Sequence, residues 1–93
     1  MIVEIDNQFL KRLKKIKDSE LRIQIESFIL NVEAAESLTE ISGLKQLSKG
    51  KNYYRYRLGN YRIGFKKTNI NTVKLIIVAK RNDIYKSFPL FAL

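Results

Sequence analysis

Arg55, Arg57 and Arg62 stand close together in the stretch Tyr53 to Phe65, YYRYRLGNYRIGF. Read at period two, Tyr54, Tyr56 and Leu58 point one way, and Arg55 and Arg57 point the other. Gly59-Asn60 is a two-residue hairpin signal, because both residue types accept φ > 0. After the turn, Tyr61, Ile63 and Phe65 share one face, and Arg62, Gly64 and Lys66 share the other. That turn sets Leu58 opposite Tyr61, Arg57 opposite Arg62 and Arg55 opposite Gly64. Two guanidinium groups directly across a ladder repel each other, and the hairpin holds no acidic residue to relieve them. A bound anion would do so, and the guanidinium fork matches phosphate. The plainer alternative is a solvated strand face, although such faces usually mix charge signs.

The rest of the composition narrows the chemistry. The chain has 93 residues, of which 45% are hydrophobic and 29% charged, which suits one domain, residues 1–93, with a modest core. It has no histidine and no cysteine. Imidazole acid–base catalysis, disulfides and thiolate metal sites are therefore excluded, and no metal or cofactor is expected. No apolar run approaches the ~20 residues of a membrane span. Met1-Ile2-Val3-Glu4 leads into alternation rather than into a signal peptide. The expectation is a cytoplasmic protein.

The net charge of +9 is unevenly placed. Residues 1–44 carry six basic and eight acidic side chains, a balance of −2. Residues 45–93 carry twelve basic residues and one acidic, Asp83, a balance of +11. A field concentrated in the half that holds the hairpin points to nucleic acid or another polyanion.

Several elements must hold that hairpin. Ile2-Val3-Glu4-Ile5 reads as a short strand. Asp6 is a candidate N-cap, with Phe9, Leu10, Leu13 and Ile16 following at helical spacing. Lys11, Arg12, Lys14 and Lys15 fill the opposite side. Asp18 is a candidate cap for a second helix with Leu21, Ile25, Phe28, Ile29 and Val32 on its stripe. The expected helices span roughly 7–16 and 19–34 and form an αα-hairpin. Ile23 and Leu30 lie off the stripe and either widen the core face, the favoured reading, or mark a partner surface. Leu38, Ile41, Leu44 and Leu47 recur every three residues and read as a short helix or packed turns, interrupted at Gly43. Residues 48–52 form a loop. Leu75-Ile76-Ile77-Val78-Ala79 is apolar on both faces and belongs inside a sheet. One helical turn over 84–88 stops before Pro89. The expected fold is α+β: an N-terminal strand and a helical hairpin on one face of a mainly antiparallel four-stranded sheet. The helices take the tyrosine face and leave the arginine face open.

Gly43-Leu44-Lys45-Gln46-Leu47, YYRYRLGNYRIGF and Val78-Ala79-Lys80-Arg81-Asn82-Asp83-Ile84-Tyr85 together resemble the RelE/ParE superfamily of bacterial toxins from type II toxin–antitoxin systems. The likeness covers essentially the whole chain. It implies a RelE-like toxin domain that cleaves mRNA in the ribosomal A site, with a cognate antitoxin, the ribosome and mRNA as partners. The catalytic set it implies is Arg55, Arg57, Arg62, Arg81 and Tyr85. The two positions before the turn are often lysine in the family and are arginine here. Close relatives often carry histidine at the position of Lys80. Lys49, Lys51, Lys66, Lys80 and Lys86 are candidate RNA contacts. The alternative within the superfamily is a ParE-like toxin that binds and inhibits DNA gyrase, and a third is nucleic-acid binding without chemistry.

RNA cleavage by its own 2′-OH needs a base, stabilisation of the phosphorane and neutralisation of the leaving 5′-oxygen. Arginine stays protonated and cannot be a ground-state base. Tyr85 can act as one if its pKa falls below the free value of ~10, and positive neighbours push it that way. Arg81 and Tyr85 are four apart, so one helical turn stacks them. Arg81 is then the candidate for the leaving oxygen, while the hairpin arginines clamp the phosphate. The structural alternative for Tyr85 is a packed ring with its hydroxyl at the surface.

Overall fold

The computed structural model describes residues 1–47 and 52–88. Asp6 and Asp18 do cap helices: their carboxylates accept from the backbone N–H of Gln8 and Leu21, respectively. Helix α1 (Asn7–Lys15) and helix α2 (Ser19–Ala34) follow strand β1 (Ile2–Ile5). Arg22 ties the two helices together, donating to the carbonyls of Leu13 (2.8 Å) and Ile16 (3.2 Å) at the end of α1, where carbonyls lack helical partners. A short 3₁₀ turn (Leu38–Glu40) leads to β2 (Leu44–Gln46), β3 (Tyr53–Leu58), β4 (Tyr61–Asn69), β5 (Thr72–Lys80) and helix α3 (Arg81–Ser87).

The sheet has five strands in the order β1-β5-β4-β3-β2, not four. β1 runs parallel to β5, and the other pairs are antiparallel. The added strand is β2. Gly43, at φ +84°, turns the chain, and Leu44–Gln46 then pair with Tyr56–Tyr54. A three-residue strand is too short to show alternation, so Leu44 reads with Leu38, Ile41 and Leu47 as helical spacing.

The hairpin register is the one expected from the turn: Leu58 faces Tyr61, Arg57 faces Arg62 and Arg55 faces Gly64. Of the two turn residues only Gly59 takes a positive φ, +59°, as the first position of a type II′ turn does. The aromatic face meets the helices. Phe28 of α2 stacks on Tyr56 with ring centroids 4.2 Å apart, and Tyr54 stacks on Phe65 at 5.4 Å. Phe9, Leu21, Ile25, Phe28, Val32, Ile63 and Phe65 are buried there, with Leu13 and Tyr56 partly buried. Ile23 and Leu30 are 62% and 58% exposed, so they do not widen this core. They face away from the sheet because the buried stripe already fills the contact.

The opposite face is not fully open. On β5 the register slips between Gly64–Ile77 and Phe65–Leu75, leaving Ile76 as the extra residue of a bulge. Ile76 and Ile77 therefore both join a second apolar cluster, with Tyr53, Ala79, Ile84 and Phe88. This cluster seats α3 across the sheet, beside the arginines. Helix α3 begins at Arg81, earlier than the turn expected at 84–88. Its first backbone N–H donates to Asn60 O in the hairpin turn at 2.8 Å.

Candidate nucleic-acid site

β3 and β4 project the arginines, and α3 brings Tyr85 over them. Gly43, Leu44, Lys45, Arg55, Arg57, Arg62 and Tyr85 line one cleft of about 300 Å³. The Arg55 guanidinium carbon lies 4.5 Å from the Tyr85 ring centroid, and that of Arg81 lies 5.9 Å away. Tyr85 is 48% exposed, so a ligand in the cleft can reach it. Its pKa is lowered from 10.0, first by a hydrogen bond from Arg81 and then by the positive charges of Arg55, Arg81 and Arg62, against desolvation. Hydrogen bonding and cationic neighbours both favour phenolate.

Gly64 sets how closely α3 can approach. A Cβ built there would lie 2.9 Å from Ile77 Cγ2 and from two ring carbons of Phe88. Phe88 thus rests on bare backbone at the centre of the sheet, and its ring meets Tyr53 edge-on with centroids 5.8 Å apart. This contact anchors the end of the helix that carries Tyr85.

Arg62 departs from the expectation that the arginines lie outside. It is 8% exposed. One guanidinium nitrogen donates to Gly59 O at 2.7 Å and Tyr61 O at 2.8 Å. The turn places two carbonyls within reach, and the side chain folds back to meet them. Its charge still reaches the cleft, but its geometry is fixed by the hairpin. Arg55 is partly buried, and Arg57 is exposed.

The lysines scatter. Lys66 shares the sheet face but lies over the Tyr53 ring at 5.2 Å, outside the arginine cleft. Lys80 pairs with Tyr61 in the ladder and lines a different groove, beside α1. Lys86 is exposed on α3 and does not line the cleft. Lys49 and Lys51 lie outside the described residues. Lys45, in the cleft and opposite Arg55, was not among the expected RNA contacts. Recognising Leu44–Gln46 as a strand beside β3 would have put it on the arginine face. Among the described residues no cluster of acidic side chains could hold a metal ion.

The same architecture occurs in solved structures. The toxin–antitoxin complex RelB–RelE from Methanococcus jannaschii superposes with a TM-score of 0.78 at 32% identity, covering 92% of this chain and 99% of that one. The intact E. coli RelBE complex matches with a TM-score of 0.66 at 21% identity, over 85% of this chain and 94% of its counterpart. The fold is therefore that of type II toxins. A family match to "ParE toxin of type II toxin-antitoxin system, parDE" spans residues 3–85. Toxin RelE3 of Methanocaldococcus jannaschii is 35% identical over 82 residues, covering 87% of this chain and 91% of that toxin. The chain belongs to the RelE/ParE superfamily of type II toxin–antitoxin toxins, and its similarity is to the RelE type.

Proposed function

We propose that this protein is a ribosome-dependent endoribonuclease that halts translation by cutting mRNA. The observation that carries the reading is Tyr85: its ring centroid lies 4.5 Å from the Arg55 guanidinium carbon and 5.9 Å from that of Arg81, and it opens into a cleft shared with Arg57 and Arg62. The Tyr85 phenolate takes the proton of the 2′-OH. The freed oxygen bonds to phosphorus and the bond to the 5′-oxygen breaks, leaving a 2′,3′-cyclic phosphate and a 5′-hydroxyl. Arg55 and Arg57 meet the charge of the phosphorane, a role for preorganised cations. Arg62 supports from behind, through its charge and by holding the turn. Arg81 neutralises the leaving oxygen, whose proton comes from water.

An antitoxin encoded with the toxin silences it, as the complexes of its relatives suggest. Such partners commonly fold as they bind and wrap a large surface. Ile23 and Leu30, exposed on α2, offer it apolar contacts. A gyrase-directed activity is less favoured, because the relative at 35% identity is a RelE toxin. The test is mRNA cleavage on programmed ribosomes beside a gyrase supercoiling assay. Cleavage without gyrase inhibition supports the proposal, and the reverse overturns it.

A further inference from the structure

A groove of about 560 Å³ lies on the other side of the sheet from the arginine cleft. Lys11, Arg12, Lys15 and Lys17 line one wall, and Lys80 and Tyr61 line the other. Asp18 and Asp83 also border it, leaving five cations against two carboxylates. Asp18 is committed to capping α2 through Leu21 N–H. Basic residues at the end of α1 do complement the helix dipole. That accounts for Arg12 and Lys15, but not for Lys80 on another element facing them across a groove.

We propose that this groove holds the RNA backbone flanking the phosphate bound in the arginine cleft. The inference rests on the RNA-directed reading of that cleft. The two sites lie at the same corner of the sheet, on its opposite sides. Tyr61 and Arg62 are consecutive on β4, one lining the groove and the other the cleft. Lys80, opposite Tyr61, is followed by Arg81, whose guanidinium carbon lies 5.9 Å from the Tyr85 ring centroid. A single strand with one phosphate among Arg55, Arg57 and Tyr85 can turn this corner and lay its next phosphates along Lys80, Lys15 and Lys11. Cationic grooves with an aromatic wall suit single strands, because every base has a face to stack. An acidic protein segment would match the charge, but makes no use of the phosphate site at the same corner of the sheet.

The test is fluorescence anisotropy with 2′-O-methyl RNA, which lacks the attacking hydroxyl, in lengths of about 4 and about 12 nucleotides that bracket a single-strand site. Lys15→Ala should weaken binding of the longer RNA several-fold and reduce its salt slope by about 0.7, the share of one single-strand phosphate contact. The short RNA should bind unchanged. Lys14→Ala removes the same charge from α1 outside the groove and should leave the slope alone. An equal loss in Lys14→Ala, an equal loss with the short RNA, no loss in Lys15→Ala, or no wild-type binding of the longer RNA at low salt overturns the proposal. So does a poly-glutamate peptide that binds more tightly than the RNA and loses affinity in Lys15→Ala. Cleavage plays no part in this assay. A protein that tracks RNA in the groove yet cuts nothing on ribosomes would sink the nuclease reading and leave this one standing.

Discussion

The two faces of the β3–β4 hairpin are made from alternating residues of the same strands, yet they behave as different materials. One face stacks Tyr54 and Tyr56 on Phe65 and Phe28 beneath a sixteen-residue helix. The other sets Arg57 opposite Arg62 and is crossed by a seven-residue helix resting on Gly64. The first buries apolar surface, the main favourable contribution to folding. The second keeps like charges together, which disfavours folding and favours an anion. Under the proposed function, stability and chemistry are thus divided across a single sheet, and mutations on the two faces should fail in different ways.

The largest expected effect on stability is on the helix face. Phe28→Ala removes a fully buried ring that touches Tyr56 and Phe65 and should cost about 3–5 kcal/mol, read by urea denaturation. Its residual folded fraction should cleave normally. A specific loss of cleavage without destabilisation would break the division between the faces.

Gly64→Ala should be intermediate and should act on both properties. The new methyl meets Ile77 and Phe88 at 2.9 Å, and overpacking of this kind costs about 1–3 kcal/mol. Phe88 is the side that can give, so α3 and Tyr85 should shift. Cleavage should fall by more than the loss of folded protein explains. Activity that simply tracks the folded fraction would show that α3 needs no seat on Gly64.

The smallest effect on stability is expected at Arg57. Arg57→Ala relieves the cross-strand repulsion with Arg62 and should raise stability by a few tenths of a kcal/mol, within the ~0.2–1 kcal/mol of such pairs. RNA affinity should fall and its salt slope flatten, as for one lost phosphate contact. A less stable variant that bound equally well would make Arg57 a structural residue.

The sequence revealed one face better than the other, for physical reasons. The hairpin register, the Asp6 and Asp18 caps and the Phe28 stripe are local patterns of period two or 3.6, and they emerged as written. The arginine face depends on events that carry no period. Ile76 and Ile77 share a face because of a bulge that alternation does not foresee. Lys45 joins the cleft through a strand only three residues long. Arg62 is buried because two carbonyls of its own turn capture it, so its type suggested a solvent-facing clamp that the backbone denies. Lys80 and Arg81, neighbours in sequence, part to opposite sides where β5 gives way to α3. The nearness of Tyr85 to Arg81 was legible because their four-residue spacing falls within α3, whereas the role proposed for Tyr85 came from the family resemblance.

The central claim is that Tyr85 acts as a base whose pKa its arginine neighbours lower. Its most direct test is the pH dependence of single-turnover mRNA cleavage on ribosomes, for the wild type and Tyr85→Phe. A lowered pKa means more phenolate at any given pH. The wild-type rate should therefore rise with pH and level off below the free tyrosine value of ~10. Tyr85→Phe keeps the ring over Arg55, so fold and ribosome binding should persist, while the rate falls about 10²–10⁴-fold and the rise disappears. A Tyr85→Phe protein that cleaves at the wild-type rate with the same pH profile would contradict the account.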